Sequence, residues 1–489
     1  MTETILAIDA GTTGVTSIIF DADLAPLARA SQEFSQGFPR PGWVEHEAHD
    51  ILRAVDETVA QVIGQSKAMP RAIGITNQRE TVFAVERAGG RALAPGIVWQ
   101  DRRTSDRCAV LKAEGLQAEV SSRTGLVLDP YFSASKIEWM LANTAGLSER
   151  AAAGEVGFCT VDTLVIQHLC GGGVFATDHT NAARTMLYNL DKRAWDPWLC
   201  DLFGVSATWL PEVRPSAGDF GEANIGGVKV PILGVAGDQQ AALFGQGCWD
   251  EGSFKNTYGT GCFLLLNTGK RRVDSAGGLL TTLAVARDGS PCYALEGSVF
   301  AGGLIIQWLR DNLGLIDDAA QSEALARSVD DSGGVYLVPA FAGLGAPYWD
   351  ADARAALLGM TRGTGPGHIA RAALEGIAFQ SAEIVELLRA ETGLAISSLR
   401  VDGGAAANDF LMQCQADLAA LTISRGGNVE ATARGAAALA GLGVGLWSDP
   451  SEARAFHDQT QLFEPGLAEQ ERRQQLEAWR QAVARVRTT

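Results

Sequence analysis

The chain has 489 residues, 46% of them hydrophobic, and a formal net charge of -17. That length argues for two domains, and the composition is that of a globular protein rather than a disordered or fibrous one. The acidic balance excludes a basic nucleic-acid-binding stripe and speaks against an anionic membrane surface as partner.

Ile5-Leu6-Ala7-Ile8 reads as a buried strand and Ser17-Ile18-Ile19-Phe20 as its hairpin partner. The loop between them is Asp9-Ala10-Gly11-Thr12-Thr13-Gly14. Its glycines free backbone N–H groups for an anion and its threonine hydroxyls add donors. Asp9 supplies a carboxylate of the kind a phosphate-bound Mg²⁺ needs. An ordinary hairpin turn accounts for Gly11 and Gly14 equally well. His46 and His49, with Glu45 and Glu47, resemble a metal cluster, but no further histidine nearby completes the set. A surface position at the approach to a helix is expected for them. That helix, Glu47 to Gln65, places Ile51, Val55, Val59, Val62 and Ile63 at helical spacing.

Three strands come next, each ending in a polar cluster. Ala72-Ile73-Gly74-Ile75 ends at Thr76-Asn77-Gln78-Arg79-Glu80, Gly96-Ile97-Val98-Trp99 at Gln100-Asp101-Arg102-Arg103, and Ile232-Leu233-Gly234-Val235-Ala236 at Gly237-Asp238-Gln239-Gln240. Open α/β sheets gather ligands past such carboxyl ends. Asp238, before a helix expected from Gln239, is a candidate general base, with a helix N-cap as the alternative. Arg79 and Glu80 make a donor–acceptor pair suited to vicinal hydroxyls, or a surface ion pair. Trp99, Tyr131 and Phe263 are candidate apolar walls, or simply core.

The glycine–threonine loop returns as Asn256-Thr257-Tyr258-Gly259-Thr260-Gly261, before the apolar Cys262-Phe263-Leu264-Leu265-Leu266. Two strand–loop–strand units half a chain apart predict two similar lobes gripping one polyphosphate, joined near Gly245 to Gly252. Cys262, at an alternating strand position, is expected to be a packed thiol. Val335 to Val338 reads as a strand, Arg371 to Ala390 as an amphipathic helix, and Leu399-Arg400-Val401 as a strand ending at Asp402-Gly403-Gly404-Ala405. Gly435 to Trp447, the longest uncharged stretch worth testing as a membrane span, is too short and too glycine-rich for the ~20 residues one needs and reads as a packed helix and turn. Eight cysteines without a CxxC pair imply no disulfide framework or zinc knuckle, and no signal-peptide pattern opens the chain, so a cytoplasmic protein is expected. Gly269-Lys270-Arg271 lacks the hydroxyl and upstream glycine of a P-loop, and Asp219-Phe220-Gly221 lacks the signatures that accompany it in protein kinases.

Longer segments carry a family likeness. They are Pro41 to His46, Gly74 to Thr81, Asp129 to Ser133, Ala236 to Gln246 and Lys255 to Phe263, with Tyr131 to Trp139 including Lys136, and Gly359-Met360 continuing to His368-Ile369 and Leu374-Glu375. On these the chain resembles the FGGY carbohydrate kinases, nearest the members that phosphorylate glycerol, over essentially its whole length. The resemblance implies two duplicated α/β domains of the actin/hexokinase-like (ribonuclease H-like) ATPase fold around a central cleft. It divides them as 1–246, binding polyol and phosphate, and 247–489, binding nucleotide. It implies ATP as donor with Mg²⁺, glycerol as substrate, sn-glycerol 3-phosphate as product, and a homo-oligomer. By position, Arg79, Glu80, Trp99, Tyr131, Asp238, Gln239 and Phe263 match glycerol contacts, with Asp238 the base. Asp9 matches the magnesium-side carboxylate. Thr12, Thr13, Thr260 and Gly303 match phosphate contacts; Gln307, Gly404 and Asn408 match the nucleotide side. The chain departs from the family at Ala10, where glutamine is usual, at Gly14 and Val15, where serines are usual, and at Thr16, where an arginine is usual. Kinases of another small polyol or ketose, such as erythritol or dihydroxyacetone, and an actin-like ATP switch remain the alternative readings.

Overall fold

Alternation of apolar side chains decides the first layer of the computed structural model, which describes residues 3–426, 430–458 and 460–488. Strand β1 (Thr4–Ala10) sends Leu6 and Ile8 to one core and Ile5 and Ala7 to another, so an unbroken apolar run is what a strand covered on both faces requires. It pairs antiparallel with β2 (Gly14–Asp21), which pairs with β3 (Pro26–Glu33). On its other side it pairs parallel with β4 (Ala72–Asn77). Beyond β4 lie β5 (Glu222–Ile225) and β6 (Val228–Gly237), giving the order β5-β6-β4-β1-β2-β3. Helix α1 (Ala48–Ser66) packs Ile51, Val55, Val59 and Val62 into the Leu6/Ile8 core, and α2 (Asp238–Gly245) follows β6 directly.

A second sheet repeats this plan. β7 (Phe254–Tyr258) and β8 (Cys262–Gly269) form its antiparallel hairpin. The edge strand β9 (Leu280–Val285) neighbours β10 (Pro291–Val299), which in turn neighbours β8, and β11 (Ser398–Asp402), β12 (Thr422–Gly426) and β13 (Thr460–Phe463) extend from β7. Read from β13, the order β13-β12-β11-β7-β8-β10 matches that of the first sheet strand for strand, with the parallel pairings at the same places. Helix α3 (Pro366–Thr392) covers it, starting five residues before the predicted amphipathic face because Pro366 serves as an N-terminal helical residue.

The chain divides into two compact units, Met1–Trp249 with Thr281–Tyr293 and Ala431–His457, and Asp250–Leu280 with Ala294–Glu430 and Asp458–Thr489. A single cut at 246/247 does not describe this division. The later segment returns to the first unit because α4 (Ala431–Gly443) lies against β4, β6 and α2 at backbone distance. A Cβ on Gly435 would sit 1.8 Å from the Ala241 carbonyl oxygen, and one on Gly74 2.1 Å from that of Ala436. Only glycine allows that approach, and the small residues of α4 follow from it.

Two local expectations are corrected. Gly96–Ile97 is a two-residue strand of a separate four-stranded sheet, paired antiparallel with Val82–Glu86 and Glu45–His46, so Trp99 does not end a strand of the main sheet. Two apolar residues before Val98 were too short a run to fix which sheet they join. His46 is not a surface residue: it is buried, with its ring edge-on to Phe34 at 5.1 Å, and burial lowers its pKa to about 4. His49 is exposed, and among the described residues no group of three or more His, Cys, Asp or Glu is arranged to hold a metal.

Candidate active site

In the first unit, the chain ends of β4 and β6 bring the predicted polar residues together. Arg79 and Glu80, two and three residues beyond β4, have side chains only 2% exposed, so the surface ion pair is ruled out. The Arg79 guanidinium lies 3.1 Å from an Asp238 carboxylate oxygen, 3.9 Å from Glu80, and donates to the Gln240 side-chain carbonyl at 3.3 Å. Asp238 is the first residue of α2, one earlier than predicted. The cap is Gly237, so Asp238 is not the N-cap. Its side chain is 28% exposed and accepts from the Gln239 N–H at 2.7 Å. A carboxylate paired with a buried cation yet open to solvent on one side is reachable by a hydroxyl.

The aromatic wall is tied to the first glycine–threonine loop. Gln78 donates its side-chain amide to the Gly11 carbonyl (3.0 Å) and accepts from the Thr81 hydroxyl (2.7 Å). The Thr81 hydroxyl in turn accepts from the Trp99 backbone N–H (3.2 Å), and the Trp99 indole N–H donates to the Thr12 hydroxyl (3.0 Å). Trp99 meets Tyr131 edge-on at 5.6 Å. Tyr131 is fixed by its own backbone: its N–H donates to Asp129 (2.9 Å) and its carbonyl accepts from the buried Lys136 ammonium (2.7 Å). Desolvation lowers the Lys136 pKa to about 8, which the carboxylates of Glu80, Asp101 and Asp129 only partly offset. Asp9 stands opposite Thr16 in the β1–β2 register, at the mouth of the loop.

The second unit carries a cavity of about 550 Å³ lined by Tyr258, Thr260, Gly303, Gln307, Gly404 and Asn408 among others, so every nucleotide-side residue expected from the sequence faces one space. Its floor is built by close backbone contacts. The Gly302 and Gly303 N–H groups donate to the Thr260 and Gly259 carbonyls, each at 2.8 Å, and a Cβ on Gly303 would stand 2.7 Å from Gly259 O. Gly303 opens the helix Gly303–Asp311, whose N-terminus favours anionic groups. Gly403, with φ at 88°, turns the chain from β11 into the loop where Gly404 lies. Asn408 caps the helix Asp409–Ala419 through the Leu411 N–H and donates to the Ser322 hydroxyl at 3.1 Å. Phe263 also belongs to this unit, on β8, apart from the six other polyol candidates. Its neighbour Cys262 is a packed thiol, with burial pushing its pKa up to about 12.

The FGGY family of carbohydrate kinases matches this chain twice, its N-terminal domain over residues 4–245 and its C-terminal domain over 254–444. The chain belongs to the FGGY family of carbohydrate kinases. It is 49% identical to a glycerol kinase of Carboxydothermus hydrogenoformans, covering 99% of this chain and 98% of that one. A glycerol kinase of Shewanella piezotolerans is likewise 49% identical, with 99% of each covered. The crystal structure of Plasmodium falciparum glycerol kinase with ADP superposes with a TM-score of 0.91 at 35% identity, covering 99% and 98% of the two chains. A ligand-bound xylulose kinase of Lactobacillus acidophilus, at 22% identity and a TM-score of 0.87, shares the fold. The fold is thus the two-domain actin/hexokinase-like fold of this family, and the protein is a kinase.

Sequence reasoning missed Arg184, which is fully buried and donates to Glu80 at 2.6 Å. It also missed the run Asp178-His179-Thr180-Asn181 before it. Their one signal was a dense polar stretch without the apolar period of a surface helix.

Proposed function

We propose that the protein transfers the γ-phosphoryl group of ATP to a terminal hydroxyl of glycerol, yielding sn-glycerol 3-phosphate and ADP. The observation that carries this reading is the Arg79–Asp238 pair beside Glu80, its guanidinium buried and its carboxylate partly open, together with the Trp99–Tyr131 ring contact in the same unit. Arg79 donates to and Glu80 accepts from vicinal hydroxyls, and the rings cover the carbon backbone. Asp238 takes the proton of the reacting hydroxyl as its oxygen bonds to the γ-phosphorus and the bond to the ADP oxygen breaks. Gln239 and Phe263 complete the polyol contacts. Thr12, Thr13, Thr260 and Gly303 hold phosphates, and Gln307, Gly404 and Asn408 take the nucleoside side. Asp9 is suited to Mg²⁺ arriving on the nucleotide, since such an ion needs only one or two carboxylates beside phosphate oxygens; it would offset charge on those oxygens. The eight cysteines are all free, which fits work in the reducing cytoplasm, and a homo-oligomer is part of the same reading.

A coupled ADP-release assay across small polyols and ketoses tests this: glycerol gives the highest kcat/KM, and a flat response to glycerol with turnover of erythritol or dihydroxyacetone overturns it. Gly404→Leu probes the nucleotide side. A Cβ there meets nothing within 4 Å and grows into the cavity. KM for ATP rises about 10-fold or more while KM for the polyol holds. An unchanged ATP KM removes Gly404 from the nucleotide site.

Thr16 bears on rate. It faces Asp9 across the hairpin and shares a hydrogen bond with the Ser31 hydroxyl at 3.0 Å. A hydroxyl there cannot supply the forked, permanent charge that phosphate oxygens favour. Thr16→Arg raises kcat by a factor of roughly 3 to 10; no gain in steady-state turnover means another cation already serves. The neighbouring departure has a steric cause: a Cβ on Gly14 would lie 2.8 Å from the Gln32 carbonyl oxygen, so β3 runs too near for serine.

A further inference from the structure

We propose that Arg184 is a positioning residue of the polyol site, locking Glu80 and the Tyr131 wall from outside the substrate contacts; this rests on the reading of that site given above. Glu80 has φ at 64°, a left-handed backbone conformation that side-chain-bearing residues seldom adopt and that persists only where its surroundings enforce it. Two side chains do so. Ser133 donates its hydroxyl to the Glu80 carbonyl at 2.9 Å, and the Arg184 Nε donates to the Glu80 carboxylate at 2.6 Å. Arg79, by contrast, is 3.9 Å from that carboxylate, so the closer cation is the one behind the site.

Arg184 also reaches the wall. Its guanidinium carbon lies 5.5 Å from the Tyr131 ring centroid and 5.3 Å from that of Phe132, within range for a cation against a ring face. One buried group therefore orients both the acceptor and the apolar side of the pocket.

Its own place is set by the turn of helix His179–Ala182 just before it. Asp178 caps that turn through the Thr180 and Asn181 N–H groups, both at 2.9 Å. Asn181 and Asn77 exchange side-chain amide bonds at 3.0 and 3.2 Å, tying the turn to the end of β4. The Thr180 hydroxyl accepts from the Gly237 N–H at 2.9 Å, tying it to the residue before Asp238. The segment thus joins the chain ends that carry Glu80 and Asp238. A guanidinium with no solvent exposure must be paired to be tolerated, and its pairing with Glu80 fixes where that carboxylate presents its oxygens.

The test compares Arg184→Met, Arg184→Lys and Ser133→Ala in the full chain, reading KM and kcat for the polyol, ADP affinity by calorimetry and the thermal midpoint. Arg184→Met raises the polyol KM about 30- to 100-fold, leaving kcat within about fivefold and ADP affinity unchanged. Arg184→Lys recovers about tenfold of that loss, because it restores charge without the fork. Ser133→Ala, a small change that spares the fold, raises KM roughly 3- to 10-fold. An unchanged KM in Arg184→Met, or parallel losses in kcat and ADP affinity, overturns the assignment. Should Arg184→Met fail to fold, an unchanged KM in Ser133→Ala overturns it instead. Wild-type turnover of a different polyol whose KM shifts in the same way overturns glycerol but upholds Arg184. Absence of any polyol turnover by the wild type overturns both.

Discussion

Asp238→Asn lowers kcat by about 10²-fold or more while the pocket keeps its shape. The amide is the same size, and its oxygen still accepts from the Gln239 N–H that now reaches the carboxylate at 2.7 Å. What disappears is the group that takes a proton. Arg79 loses the charge 3.1 Å away but keeps Gln240 and the more distant Glu80, so polyol binding weakens less than turnover. Steady-state rates at saturating polyol and ATP, with circular dichroism confirming the fold, make the measurement. Full turnover in the variant would remove Asp238 from proton transfer and leave positioning alone as the source of rate.

Arg79→Met lowers kcat/KM for the polyol by about 10³-fold. Two charge-assisted hydrogen bonds, one to the substrate and one to Asp238, are each worth roughly 1.5–3 kcal/mol, and every 1.4 kcal/mol is tenfold. The loss also leaves Glu80 and Asp238 as neighbouring carboxylates without the cation between them. Glu80 retains Arg184, which limits the collapse of the site. KM for ATP stays put, because Arg79 is neither among the residues lining the second-unit cavity proposed for the nucleoside nor among the proposed phosphate contacts. A loss below tenfold in the initial-rate assay would assign Arg79 a merely structural role. Arg79→Lys falls between the two, since an ammonium cannot serve two acceptors in a fixed plane.

The sequence by itself determined the two hairpins and their loops, because an apolar run, a glycine-threonine turn and a second apolar run are local signals read within about 20 residues. It also determined α1, α3 and the carboxyl ends that carry Arg79, Glu80 and Asp238, since 3.6-residue spacing and buried runs depend on chain neighbours alone. The correspondence of the two sheets was half visible, in the repeated loop; the shared strand order needed pairings between residues far apart in sequence.

Only the tertiary structure decided the rest. Whether Arg79–Glu80 is a surface pair or a site depends on burial, and burial is set by what packs above it. Glu80 lies past a strand end, where local sequence does not fix the backbone, and neighbours 53 and 104 residues away hold it in a left-handed turn. His46 looked like a surface histidine because its flanking residues are charged, while its cover comes from Phe34 on another segment. The return of Ala431–His457 to the first unit depends on glycines meeting across backbones, a steric match invisible in either segment alone. Arg184 was illegible for the same reason: a buried cation declares itself only through the carboxylate that pays for its burial, and that partner lies 104 positions earlier in the chain.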